Sequence, residues 1–267
     1  MDIKINMENN RLESFSDQIT SLNHQDLANA EKLPGPLLIT TKGQYETYYS
    51  PFDFINENAK VVIVGITPGM QQAKNALLKA SEVLKTGGTV HQARKEAKVF
   101  ASFSGAMRNN LVQMLDHIGL NQYLKIASTQ SLFKENDSLV HFTSALRYPV
   151  FKNGKNFNES PLKLKEQVIA WFAEECKLLP NAIYVPLGPK VADVLELIVE
   201  LGILKTEQVL TGLQHPSGAN AERVAYFLGR KERSNLSAKT NPDTIDKAKQ
   251  SILSKMRFLT KGEDLVA

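Results

Sequence analysis

The sequence predicts an α/β fold with a mostly parallel central sheet, and three observations carry that prediction. Short unbroken apolar runs, Val61-Val62-Ile63-Val64 first among them, have the β-branched character of strands buried on both faces. Between them lie stretches whose apolar residues recur at helical spacing. The two kinds alternate along the chain, which implies parallel strands joined by helical crossovers, with helices on both faces of the sheet.

In order, residues 12 to 31 predict an N-terminal helix, and LLITTKGQYETYYSPFDF predicts an extended segment ahead of the first core strand. VVIV is that strand, and ITPG ends it before a turn and a helix. TGGTVHQARKEAK, residues 86 to 98, is Gly-broken and basic and reads either as a mobile loop over a cleft or as a solvated connection. From Gly105, Met107, Leu111, Met114, Leu115 and Ile118 mark a helix that Gly119 stops. SLVHFTSALRYPV is a second buried strand running into a Pro-marked loop. Ser160-Pro161, a capping hydroxyl before a proline, opens a helix through Val168, Trp171 and Phe172 to about Leu179. AIYVPLG is the third strand, and Pro189 begins a helix with Val191, Val194, Leu195 and Ile198 on one face. QVLTG is the fourth strand, and a Lys-rich amphipathic helix is expected from Thr244 to Phe258.

Composition narrows the functional classes. At 267 residues, with 42% hydrophobic and 22% charged residues, the chain fits one large domain with a core to bury. A single cysteine, Cys176, leaves no partner for an intramolecular disulfide and too few thiolates for an all-cysteine zinc or iron–sulfur site, so no metal or cofactor is expected. Neither a membrane span nor a signal peptide is legible, and a cytoplasmic protein without a membrane partner is expected. A net charge of +4 permits a polyanionic partner but does not by itself require one. Lys190 in LGPK lacks the hydroxyl neighbour of a nucleoside-triphosphate loop.

Chemistry is expected where open parallel sheets bind ligands, beyond the carboxyl ends of their strands. Three segments arrive there: GITPG after the first strand, TSALRYP after the second, and HPSGANAER after the fourth. Gly65 and Gly69 allow close backbone approach, and the helix after Gly69 is expected to offer free N–H groups to an anion. His215 sits in a strand-to-helix turn, where an imidazole serves either as a backbone-bonded structural group or as a group aimed at a substrate.

VVIVGITPG, FASFSG, HFTSALRYP, IYVPLGPKVADVL and QHPSGANAER together resemble, in order and spacing, the uracil-DNA glycosylase superfamily, over roughly residues 55 to 230. The resemblance implies a three-layer α/β/α fold around a mostly parallel four-stranded sheet. The chain is then one glycosylase-like domain over residues 1 to 267, with a core at about 55 to 230 and helical extensions at both ends. GITPG is similar to the GINPG of the mismatch-specific thymine/uracil branch, and FASFSG to the FxGxSG of the bacterial iron–sulfur branch.

The roles that follow belong to the resemblance. His215 would stabilise the departing base, and the turn holding Gly65, Ile66, Thr67 and Gly69 would bind the base and position water. Phe100, with Phe103 as second candidate, would stack on it. Ser217, Gly218, Asn220, Arg223, Arg230 and Lys231 would hold the DNA backbone, and the protein would act as a monomer on DNA containing the target base.

This chain departs from the family pattern at three places. Thr67 stands where relatives carry a carboxylate or asparagine, and a hydroxyl is no general base near neutral pH. Asp53 and Glu222 are therefore candidate bases. Ser144 stands where many relatives place the asparagine that reads uracil's edge, and one hydroxyl cannot replace an amide's paired donor and acceptor. Gly69 stands where uracil-specific relatives carry a tyrosine that rejects substituents at pyrimidine C5. The three together predict a base larger than uracil, such as a C5-modified cytosine excised in anti-phage defence, with uracil repair as the alternative. A silent reader of flipped bases is the remaining possibility.

Overall fold

The computed structural model describes residues 11 to 261. Segment 1 to 10, part of the stretch read for a leader, lies outside them. In chain order the elements are α1 (Arg11–Ser14), α2 (Ser16–Thr20), α3 (His24–Asn29), β1 (Leu38–Lys42), β2 (Tyr45–Tyr48), β3 (Val61–Gly65), α4 (Met70–Lys85), α5 (Val90–Ala101), α6 (Ala106–His117) and α7 (Leu120–Leu124). Then come β4 (Val140–Ser144), β5 (Val150–Lys152), β6 (Lys155–Asn156), α8 (Lys165–Gln167), α9 (Glu174–Lys177), β7 (Ile183–Pro186), α10 (Pro189–Glu200), α11 (Ala221–Phe227) and α12 (Pro242–Lys261).

The chain divides into two compact units. The first is drawn from residues up to Asn56, from Ile66–Ser102 and from Phe142–Leu178; the second holds Glu57–Gly65, Phe103–His141 and the chain from Leu179 onward.

In the first unit, the extended segment expected before the core folds into a hairpin, β1 against β2, and β2 pairs in turn with β5. With β6 this makes an antiparallel sheet in the order β1-β2-β5-β6, which the sequence reading did not foresee. Its core joins Leu37, Tyr48, Tyr49 and Phe151 to Ala73, Ala76, Leu77 and Ala80 of α4 and Ala93, Ala97 and Ala101 of α5. Small residues at helical spacing let α4 and α5 approach closely. The 86 to 98 segment is thus neither lid nor loop beyond Gly88. Thr89 accepts from the Gln92 N–H at 3.1 Å and starts α5 there. The expected N-terminal helix is broken into three short ones, the third capped by Asn23 through the Gln25 and Asp26 N–H groups. The helix opened by Ser160-Pro161 is also irregular, with a π-helical stretch at Val168–Ala173.

In the second unit, β3 and β7 pair in parallel, Val61 with Ile183 through Val64 with Pro186. The central sheet has the order β4-β3-β7. The expected fourth strand is reduced to a single parallel bridge, Val209 with Tyr184, plus one bond from the Leu210 N–H to the Tyr184 carbonyl at 2.8 Å. Gly212, at φ +132°, turns the chain away after two residues, and a Cβ there would stand 2.7 Å from the Ala248 carbonyl oxygen of α12. Gly119 stops α6 in the left-handed conformation, as its position in the sequence predicts. No helix among the described residues is long and apolar enough to cross a membrane.

Candidate active-site turns

The first turn leaves β3 at Gly65 and enters α4 at Met70. Its side chains are held from within the first unit. Thr67 Oγ1 donates to the Tyr148 carbonyl at 2.9 Å and accepts from the Val150 N–H at 3.1 Å. A hydroxyl has one proton and two lone pairs. Thr67 therefore keeps one acceptor site to offer a water molecule and no proton to give it. The Leu146 N–H donates to the Ile66 carbonyl at 2.9 Å, so TSALRYP is laced to GITPG at two points. Ser144, at the end of β4, is partly exposed.

The helix start after Gly69 is capped rather than open, contrary to the anion-binding expectation. The Gly69 N–H donates to Gln72 Oε1 at 3.1 Å and the Met70 N–H to Asn156 Oδ1 at 2.9 Å. Side-chain oxygens now occupy that direction and would repel a phosphate.

Asp53, expected as a base, lies in the interior at 0% exposure. Its carboxylate is 3.5 Å from Arg94 Nε and accepts from the Tyr49 hydroxyl at 3.5 Å, while Oδ2 has no hydrogen-bond partner. Burial pushes its carboxyl pKa up, against the pull of Arg94. A side chain sealed from solvent cannot reach a water at a substrate, so Asp53 is a structural group.

Around it sits a polar interior that no motif announced. Arg147 donates through Nε to Glu175 Oε2 at 2.9 Å and through its other arm to the Trp171 carbonyl, in the π-helical stretch, at 2.9 Å. Lys98 donates to the Phe54 carbonyl at 2.6 Å. Burial lowers its ammonium pKa to about 8, over the opposing attraction of Glu175. Three buried or half-buried cations thus face two carboxylates, and Lys98 is the group that can relieve the excess by losing its proton.

The second turn lies wholly in the second unit. The Leu187 N–H donates to the Val64 carbonyl at 2.9 Å and the Gly188 N–H to the Leu213 carbonyl at 3.1 Å, which draws the chain before His215 to the carboxyl end of β7. Gly188, at φ +92°, comes close to His215; a Cβ there would be 3.6 Å from the histidine Cβ. His215 is partly exposed, and the Ser217 N–H donates to its Nδ1 at 3.3 Å. An accepting Nδ1 carries no proton, so the neutral ring holds its proton on Nε2 as a donor. Burial, then the nearby Lys190 charge, lowers the imidazole pKa and favours that neutral form. Asn110 of α6 donates through Nδ2 to the Pro216 carbonyl at 2.9 Å and holds the turn from the helix side. Nothing in the sequence marked Asn110, because its partner is a backbone atom 106 residues away.

Glu222, the other candidate base, is fully engaged. It accepts from Lys231 Nζ at 2.7 Å, from the Ser237 N–H at 3.2 Å and hydroxyl at 2.6 Å, and from the Thr240 hydroxyl at 2.5 Å. These donors, Lys231 first, hold its carboxyl far below the usual range. Such a carboxylate is a poor proton acceptor, and its role is to fasten residues 231 to 240 to α11. The expected DNA contacts are similarly braced: Arg223 donates to Asn220 Oδ1 at 2.7 Å and to the Lys239 carbonyl at 3.0 Å, and Arg230 to Gln113 Oε1 at 2.5 Å. Ser217 Oγ accepts from Asn220 Nδ2 at 3.3 Å, and Gly218 is exposed.

The two candidate stacking rings differ. Phe100, in the last turn of α5, is 53% exposed, whereas Phe103 is 6% exposed and held at φ +49°, a left-handed conformation that costs a non-glycine residue about 1–2 kcal/mol. Of the two rings, Phe100 is the more exposed.

Comparison with known proteins places the chain in a family. The family model described as "Uracil DNA glycosylase superfamily" matches residues 52–243. A Bacillus subtilis (strain 168) protein, "Uncharacterized protein YoxB", is 36% identical over 231 residues, 83% of this chain and 90% of its own length. No solved structure matches. With the parallel β3–β7 core and the two motif turns in place, the chain belongs to the uracil-DNA glycosylase superfamily, whose fold is three-layer α/β/α.

Proposed function

We propose that the protein is a monofunctional DNA glycosylase that hydrolyses the N-glycosidic bond of a flipped pyrimidine and leaves an abasic site. The observation that carries this reading is the state of His215: a neutral imidazole whose Nε2–H is left as a donor because Nδ1 is occupied by the Ser217 N–H. Bond cleavage pushes negative charge onto the departing base. A donor aimed at a base oxygen strengthens as that charge develops, so it lowers the barrier rather than merely binding substrate. Phe100 is the stacking ring, and Gly65, Ile66, Gly69 and Ser144 border the base. Ser217, Gly218, Asn220, Arg223 and Arg230 follow the DNA backbone; Lys231, already paired with Glu222, adds less net charge.

No carboxylate is left to activate water in these turns: Asp53 is sealed and Glu222 saturated. Catalysis on this reading therefore leans on stabilising the leaving group, with Thr67 accepting one hydrogen bond from the water. Gly69 leaves room at C5, which favours a C5-modified cytosine, and hence a role in anti-phage defence, over uracil repair. The protein acts as a cytoplasmic monomer on this reading. The same lack of a base favours a second reading, a silent reader of flipped bases.

The test is abasic-site formation, read by alkaline cleavage, on DNA containing uracil, mismatched thymine, hydroxymethylcytosine or glucosylated hydroxymethylcytosine. Strand breaks at any of these supports a glycosylase. Retained DNA binding with no abasic site on any of them leaves the reader.

A further inference from the structure

The turn that carries His215 is held through one peptide unit. Gln214, His215 and Pro216 make no backbone–backbone hydrogen bond among the described residues, and proline has no N–H to give one. The Pro216 carbonyl instead accepts from Asn110 Nδ2 at 2.9 Å. A carbonyl oxygen only accepts, so the bond fixes which end of the Asn110 amide is nitrogen. Across the same peptide bond, the Ser217 N–H donates to His215 Nδ1 at 3.3 Å.

That peptide bond is trans, as is every other among the described residues, so its C=O and N–H share a plane and point opposite ways. Asn110 holds one end of the plane, and the imidazole receives the other. Rotating the plane turns both groups together: a carbonyl released by Asn110 would carry the Ser217 N–H away from Nδ1. Asn110 itself stands on α6, whose inner face is buried through Leu111, Met114 and Leu115. All of these groups belong to the second unit.

We propose that Asn110 is a positioning residue that acts through His215: by fixing the Pro216–Ser217 peptide plane it keeps the Ser217 N–H on Nδ1, and so keeps the ring proton on Nε2 as the donor to the departing base. Which nitrogen of a neutral imidazole carries the proton is set by the bond that the other nitrogen makes. Without Asn110 the ring stays in the turn but divides its neutral form between two tautomers. One of them presents a lone pair to the base oxygen and opposes the charge that develops there. The inference rests on the glycosylase reading above and extends it from the histidine to the side chain that orients it.

The experiment reads the His215 ring nitrogens by NMR in the DNA-free protein, above the pH at which the imidazole titrates, with His215→Ala to assign the resonances. Single-turnover abasic-site formation and DNA affinity are measured alongside, on whichever of uracil, mismatched thymine, hydroxymethylcytosine or glucosylated hydroxymethylcytosine the wild-type protein cleaves. Asn110→Leu keeps the size of the side chain and the charge of the site but offers no donor. Asn110→Ala repeats the test without a branched group and guards against a clash. The wild-type ring is expected to hold its proton on Nε2 alone. Both variants should mix the two tautomers, bind DNA as before and cleave about tenfold more slowly, the worth of one neutral hydrogen bond. In a His215→Ala background the same substitutions should change the rate by about twofold or less, because the group through which they act is gone. An unchanged tautomer or unchanged rate in both variants, or a loss of rate that persists without His215, overturns the role of Asn110. An altered tautomer in a protein that leaves no abasic site on any of these DNAs overturns the glycosylase reading, and with it the part given to Asn110 in the reaction, while the bond to the turn stands.

Discussion

The two motif turns are built alike, each leading from the sheet through a proline into a helix, but they dispose of their polar side chains in opposite ways. In the first, Thr67 spends its proton and one lone pair on the Tyr148 and Val150 backbone, and the helix start is closed by Gln72 and Asn156. In the second, the backbone satisfies one nitrogen of His215 and leaves the other with its proton. Bonding capacity consumed by the fold gives rigidity. Capacity left over at a partly exposed position is available for chemistry, and the second turn retains it on His215 Nε2.

Variants can break this contrast, and the largest effect is expected in the polar interior of the first unit. Glu175→Ala strands Arg147 without its carboxylate, and loss of one partner of a buried pair costs about 3–5 kcal/mol. Chemical denaturation should show that loss. His215→Ala should leave the melting temperature close to wild type while lowering the single-turnover rate by about 10²–10³-fold. Undiminished turnover would make the histidine structural and erase the contrast. Thr67→Val should reverse that pattern: a loss of about 1–3 kcal/mol in stability, because the Val150 N–H and Tyr148 carbonyl lose their partner, with the rate falling far less than in His215→Ala. A comparable fall in rate would mean that the remaining lone pair of Thr67 matters to the water.

Acidity sharpens the same comparison. The folded-state pKa of His215 lies below its ordinary value, so the neutral donor survives into mildly acidic solution. The rate should hold near pH 6.5 and fall only as pH drops through the lower, folded value. The matching contribution to stability is full above the ordinary histidine pKa and lost as pH falls through the folded one. Lys190→Met should move the midpoint upward, since it removes the cation that disfavours imidazolium. The smallest effect concerns DNA: Arg223→Ala should weaken binding to all sequences alike and reduce the salt slope by about one. An unchanged slope would confine Arg223 to bracing Asn220 and Lys239.

The sequence made the local features legible and hid the long-range ones. VVIV, the Gly119 stop, the Pro189 helix and the histidine turn are written in neighbouring residues, and each is found where expected. The antiparallel sheet was not readable because Thr47 finds Val150 more than a hundred residues away, with no pattern linking the two. QVLTG has strand composition, but the close passage of α12 at Gly212 overrides it. Residues 86 to 98 look like a loop because of two glycines and many charges. Yet Ala93, Ala97 and Ala101 form a buried stripe at helical spacing that the charges obscured. Asp53 was misread for another reason: a carboxylate beside a motif looks like a base until its burial is known. Asn110 and Asn156 escaped notice because asparagines that bond backbone atoms leave no spacing rule.

The division into two units also bears on how the chain acquires its structure. The path passes between them five times, at Asn56, Gly65, Ser102, His141 and Leu178, so neither is a continuous piece of sequence. During synthesis Val61 emerges early, but β3 waits for β4 at Val140–Ser144 and then for β7 at Ile183–Pro186 before it has both its neighbours. Such distant pairing delays closure of the sheet. Cutting the chain at Gly65, Ser102 or His141 would therefore leave both units incomplete, and the protein is expected to fold late and as a whole.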